Sequence, residues 1–189
     1  IALPLQRQRK MVIIDKIDNL YHSSQASVKI RAIIRGMSAL IPGVKGFSEN
    51  IEVISIVDRY LEHPRIMVFQ NGGDKRVYIS SADWMTRNME YRVEVGCPVY
   101  DPDAIKMIED LLDIQFKDTL KARIIDQHQV NDYVKRGNRK NLRSQIEIHK
   151  YLTKTAAPSL HTLQTVFEDV KLRHITLYAA VAIDSLRSH

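Results

Sequence analysis

The sequence predicts an α/β fold, a mixed β-sheet flanked by helices and followed by a helical C-terminal tail. Three observations predict it. Ile13, Ile14, Ile17, Leu20 and Tyr21 recur at helical spacing, and an alternating run, VKIRAIIRG (28–36), follows them; helix then apolar strand is the repeating unit of α/β sheets. RIMVF (65–69) and RVYIS (76–80) are rich in β-forming residues and flank NGGD (71–74), whose Asn and glycines tolerate positive φ and so favour a tight hairpin. Asp101 followed by Pro102 is a helix start, because the carboxylate caps free N–H groups and proline suits the first helical position.

In chain order, IALPLQRQR (1–9) reads as a strand remnant or an arm, and the helix begins at Met11 and ends at Ser23-Ser24-Gln25. In the strand over 28–36, Val28, Ile30, Ala32 and Ile34 share a face. Arg35 stands where it runs out: either an anion ligand, since ligands gather at strand carboxyl ends in open α/β sheets, or a solvated residue at a loop entrance. SALIPGVKGFSEN (38–50) reads as a loop and IEVISIVDRYL (51–61) as a strand running into a turn. YRVEV (91–95) reads as a third strand beside the hairpin, with Tyr91, Val93 and Val95 on one face and Arg92 and Glu94 on the other. Cys97 is expected to be a buried strand residue. The helix over 102–116 turns Ile105, Ile108, Leu111 and Leu112 inward, and LKARIID (120–126) is another strand. VKRGNRKNLR (134–143) is a basic, solvated cluster leading into a helix over 140–153. From Ala156 two further helical patterns follow, Leu163 to Val170 and ITLYAAVAIDSL (175–186), which gives a domain over 1–155 and a tail over 156–189 of unassigned role.

Composition narrows the function classes. The 189 residues are 44% apolar and 26% charged, enough for one full core, and no apolar run approaches a membrane span. Cys97 is the single cysteine, which excludes an internal disulfide and a cysteine-built zinc cluster and fits a cytoplasmic setting. Neither a leading methionine nor a secretory signal is present at Ile1, so a fragment of a longer protein is expected. The net charge of +6 fits a polyanionic partner or solubility alone. Aromatic residues make up only 7%, with no RNA-binding aromatic motif, so nucleic acid is not expected. The other six histidines share no metal-ligand spacing, and no metal ligand is assigned.

Chemistry concentrates in residues 62–95. His63-Pro64-Arg65, then Ser80-Ser81-Ala82-Asp83, is a degenerate form of the His-x-Lys…Ser-x-Asn pattern of phospholipase-D-like phosphotransferases. Imidazole titrates near neutrality and can carry a phosphoryl group or a proton, and guanidinium forks bind phosphate oxygens in pairs. Glu94 is expected to orient Arg92 or a nearby histidine. Asp83 either orients His63 or caps the following turn, with capping slightly ahead; Trp84 and Met85 are expected to pack.

The blocks SENI, SIVDRYLEH, NGG, YISSADWMTRN and RVEV, in this order within residues 35–101, resemble the second C-terminal, phospholipase-D-like domain of bacterial polyphosphate kinase. DTLKARIID and YVKRGNRKNLRSQ extend the likeness over roughly residues 11–154. The resemblance implies reversible transfer of the ATP γ-phosphate to inorganic polyphosphate through a phosphohistidine held in another domain. It assigns His63, Arg92 and Glu94 to the catalytic site and Arg35, His63 and Arg92 to ATP and phosphate binding. It further implies Mg²⁺ in the complete enzyme, with no ligand assigned here, and a homo-oligomer that is cytoplasmic or peripheral to the inner membrane. A basic tunnel lined by Arg35, Arg65, Lys75, Arg76 and Arg92 suits a long polyanion. The domain with the phosphorylated histidine is missing, so this chain is expected to be a half-site, inactive alone; Ser27 stands where the family usually has glycine. A phospholipase-D-like phosphodiesterase acting as a dimer and a non-catalytic polyanion-binding module are the alternatives.

Overall fold

The structure, a computed structural model, describes residues 16–36, 38–155 and 182–183. The expected arm over 1–9, the first turn of the first helix and most of the tail lie outside the described residues. The elements are helix α1 (16–25), strands β1 (Ile30–Ile33), β2 (Ile51–Ile56), β3 (Ile66–Phe69) and β4 (Arg76–Ser80), helix α2 (Thr86–Tyr91), strand β5 (Gly96–Val99), helix α3 (Pro102–Phe116), strand β6 (Ala122–Ile125), helix α4 (144–155) and strand β7 (Ala182–Ile183). They form one seven-stranded mixed sheet in the order β5-β4-β3-β7-β1-β2-β6.

Both faces of the sheet are covered, and the side-chain period of two divides the strands between them. Ile30 and Ala32 of β1, with Ile51 and Val53 of β2, pack with Tyr21 of α1 and Leu40. Ile33, Ile54, Ile56, Ile66, Val68 and Val77 point the other way, onto Ile108, Leu112 and Phe116 of α3. This explains why β1 and β2 read as near-continuous apolar runs, as strands covered on both sides do. Helix α3 starts as expected, with Asp101 Oδ1 accepting from Ala104 N at 2.8 Å.

Four expectations need correction. YRVEV is not a strand: α2 runs through Tyr91 and an extended coil follows, with Val93 100% exposed, and strand pairing to β4 starts only at Gly96. Helix-forming Met89 and Glu90 carry α2 into the alternating run before the alternation can act. Cys97 lies on edge strand β5 and is exposed, not buried. Trp84 and Met85 are exposed rather than packed. At Ala182–Ile183 the helical pattern expected over 175–186 meets strand instead, paired antiparallel to β1 and parallel to β3. Short Ala, Val and Ile runs fit either period, and two open strand edges decide this one.

The connection from α1 to β1 is a tight reversal. Val28 N donates to Ser23 O at 3.0 Å and Ser27 N to Ser24 O at 2.9 Å, with Ser27 in the left-handed region at φ 66°. Glycine at this cap has no Cβ to oppose that conformation. Ser27→Gly is therefore expected to stabilise the chain by about 1 kcal/mol, read as a higher midpoint in urea; an unchanged or lower midpoint would contradict the assignment.

Candidate functional site at one edge of the sheet

Strand directions bring the singled-out residues to one edge. Strands β1 and β2 are parallel, β4 runs antiparallel to β3, and β7 relates β3 to β1 with opposite sense. The carboxyl ends of β1, β2 and β4 therefore share an edge with the amino ends of β3, β5 and β6. Arg35, the loop 57–65 with His63 and Arg65, the turn Ser80–Asp83 and the coil 92–95 all lie along it.

Asp83 is the hub. Its Oδ1 accepts from Arg65 Nε at 2.8 Å and lies 3.1 Å from His63 Nε2, while Arg87 approaches Oδ2 at 3.6 Å. Arg65 Nη2 lies 2.7 Å from the same His63 Nε2. One ring nitrogen cannot serve both neighbours at once: facing Asp83 it must carry a proton, and facing Arg65 it must offer a lone pair. The carboxylate and the guanidinium thus compete for His63, an arrangement suited to a ring that changes its bonding as an anion arrives. The ring is accessible, with 48% of the side chain exposed. The hydrogen bond from Arg65, with His63 adding to it, holds the Asp83 carboxyl below the usual carboxylate range against the opposing effect of burial. The turn cap expected of Asp83 is not made: α2 is preceded by Met85, and no side chain caps its start.

Glu94 takes other partners. Its carboxylate accepts from Ser81 Oγ and, at 2.7 Å, from Asn88 Nδ2, and Ser81 Oγ in turn accepts from Val95 N at 3.0 Å. Those two bonds from Ser81 and Asn88 hold Glu94 below its ordinary value, with Arg92 and Arg65 contributing charge. Glu94 therefore fixes the Ser81 turn to the coil carrying Arg92, and the carboxylate on His63 is Asp83's. Arg92 is exposed and reaches Glu94 through charge. Arg35 Nη1 donates to Glu62 O at 2.7 Å, which leaves other guanidinium N–H groups for an anion.

The expected five-residue basic tunnel does not form as one surface. Lys75 pairs with Glu109 at 2.6 Å and Arg76 with Asp74 at 2.8 Å, both by the β3–β4 hairpin at the opposite end from His63. The hairpin turn is as expected, with Asn71, Gly72 and Gly73 at positive φ. Among the described residues no group of three or more His, Cys, Asp or Glu gathers to hold a metal ion. No helix among them is long and apolar enough to cross a membrane.

The pairing of Asp83 is testable by its pH dependence. A carboxyl depressed in the folded chain adds stability that is present above the ordinary aspartate value, about 3.9, and is lost as pH falls through the lowered native value. The Asp83 carboxyl carbon signal is expected to titrate below the ordinary aspartate value, and Arg65→Met should raise it. An unchanged midpoint in Arg65→Met would contradict the pairing.

Comparison with known proteins places the chain in a family. The family described as Polyphosphate kinase C-terminal domain 2 matches residues 10–145. The polyphosphate kinase of Vibrio parahaemolyticus is 57% identical over 142 residues, which is 74% of this chain and 20% of that protein. That of Escherichia coli K12 is 51% identical over 148 residues, 77% of this chain and 22% of the relative. The crystal structure of polyphosphate kinase from Porphyromonas gingivalis superposes with a TM-score of 0.72 at 45% identity, covering 75% of this chain and 22% of that one. The chain thus spans about a fifth of the length of the curated relatives it matches, and the mixed α/β, phospholipase-D-like class read from its sequence stands. By the family match over residues 10–145 and the likeness to these relatives, the chain belongs to the family of the second C-terminal domain of polyphosphate kinases.

Proposed function

We propose that this domain supplies the nucleotide- and phosphate-binding half of a polyphosphate kinase site, in which the ATP γ-phosphate passes reversibly to inorganic polyphosphate through a histidine of another domain. The observation that carries the reading is the convergence of Arg35, His63, Arg65 and Arg92 on one sheet edge within the family match.

Phosphoryl transfer needs positioning and charge neutralisation more than covalent help from protein. Arg35 and Arg92 carry exposed guanidinium groups for phosphate oxygens, and His63 meets the transferring group with a ring whose proton is set by Asp83 and Arg65. In the forward direction the bond between the γ-phosphorus and the bridging oxygen of ATP breaks as the distant histidine nitrogen takes the phosphoryl group. A terminal polyphosphate oxygen then displaces that nitrogen. Glu94 serves the site by fixing the Arg92 coil. ATP, polyphosphate and the remaining domains of the enzyme are the partners, Mg²⁺ is the ion expected with ATP, and the isolated chain is expected to be inactive.

Calorimetric titration of the chain with ATP and with polyphosphate tests the reading. Binding by the wild type should weaken roughly tenfold in His63→Ala and in Arg92→Ala. Equal affinity in all three proteins would overturn it, as would absence of binding even with the remaining enzyme domains added in trans.

A further inference from the structure

In the loop 57–65, which joins β2 to β3 and delivers His63 and Arg65, the large apolar side chains Val57, Tyr60 and Leu61 are all exposed. A surface loop held by so little apolar burial opens at low cost unless polar contacts fix it. Its contacts come from the start of α4, 85 residues further along the chain. Arg143 Nε and Nη2 donate to the two oxygens of Asp58 at 2.7 and 2.6 Å, a paired fork onto a carboxylate whose side chain is 2% exposed. Gln145 grips one peptide unit on each side: its Oε1 accepts from Tyr60 N at 3.0 Å and its Nε2 donates to Tyr60 O at 2.8 Å. Further along, Glu62 Oε2 accepts from Gln115 Nε2 at 3.4 Å, and Glu62 O takes the bond from Arg35. All of these bonds fall within the five residues before His63.

We propose that Arg143 and Gln145 are positioning residues for His63, holding the loop so that its ring meets Asp83 and Arg65. This rests on the reading of His63 as a phosphate-site residue. Both act through the loop, Arg143 on the side chain of Asp58 and Gln145 on the backbone of Tyr60. The fork matters as well as the charge: Arg143→Lys keeps the cation and loses the second parallel bond.

The experiment uses the full 189-residue chain and two readouts. The first is the ring nitrogen signals of His63 by NMR in Gln145→Leu and Arg143→Met, with Arg143→Lys and, as a control that removes a different α4 contact, Tyr151→Phe, whose hydroxyl donates to Asp110 at 2.9 Å. Both loop variants should move the His63 signals toward those of an unconstrained imidazole, Arg143→Lys should fall between, and Tyr151→Phe should match wild type. Should Arg143→Met fail to fold because it strands Asp58, Gln145→Leu, which leaves that pair intact, decides. The second readout is ATP affinity: Gln145→Leu should weaken it roughly tenfold alone and by nothing more in the His63→Ala background. Wild-type His63 signals in Gln145→Leu, or an equal change in Tyr151→Phe, would overturn the proposal. If the wild type binds no ATP with all domains present, the proposed function fails on its own, and the ring signals still decide positioning.

Discussion

The Asp118 carboxylate is the constraint on which the site edge depends. It is fully buried, with 0% exposure, and accepts from four backbone N–H groups: Leu120 at 2.9 Å, Lys121 at 2.6 Å, Ala122 at 3.1 Å and Ser144 at 2.7 Å. Burial pushes the carboxyl up, but the N–H groups of Ser144 and Lys121 outweigh it and its value falls below the ordinary range. A buried charge is tolerated on these terms, with its lone pairs filled by donors. Those bonds join the start of β6 to the start of α4. Thr119 tightens the same junction, donating its N–H to Leu142 O and accepting from Leu142 N, each at 2.9 Å. From there the order passes to Arg143 and Gln145, then to the loop 57–63, and finally to His63.

The edge therefore separates two tasks. Buried carboxylates, Asp118 and Asp58, spend their charge on structure behind the loop, while the exposed cations remain at its front. Glu62, between them, shows the strain of the arrangement: burial raises its carboxyl, and the neighbouring Asp58 and Asp118 charges push the same way against bonds from Gln145 and Gln115. On the front, Asp83 and Glu94 are held below their ordinary values by their hydrogen-bond donors, so both are charged at neutral pH and hold Arg65 and the Arg92 coil in place. The apolar sheet beneath, packed on α1 and α3, gives these groups a rigid base.

Much of the fold was legible because the signals were local. The β3–β4 hairpin announced itself in NGGD, α3 in Asp101-Pro102, and the strands β1, β2 and β6 in runs of Ile and Val. The reading failed where a local pattern had two solutions, as in YRVEV, where α2 continues through Tyr91, and at Ala182–Ile183. The site residues at the edge were legible as types, His63 and the arginines, but their partners were not. Choosing between Asp83 and Glu94 as the carboxylate beside His63 depends on how the turn after β4 aims a side chain, which spacing does not encode. The Asp58–Arg143 fork spans 85 residues, and Arg143 lay in a stretch that read as solvated basic surface. Lys75 and Arg76 joined the tunnel on charge alone, and only strand direction removes them.

Whether anions gather at this sheet edge is read by amide and side-chain NMR mapping of the chain during titration with tripolyphosphate. The largest shifts are expected on one sheet edge, at Arg35, His63, Arg65, Ser80 to Asp83 and Arg92. Shifts concentrated instead at Lys75 and Arg76 of the hairpin, or on the basic segment 135–140, would contradict it, because the anion would then be following surface charge and not the site that the sheet assembles.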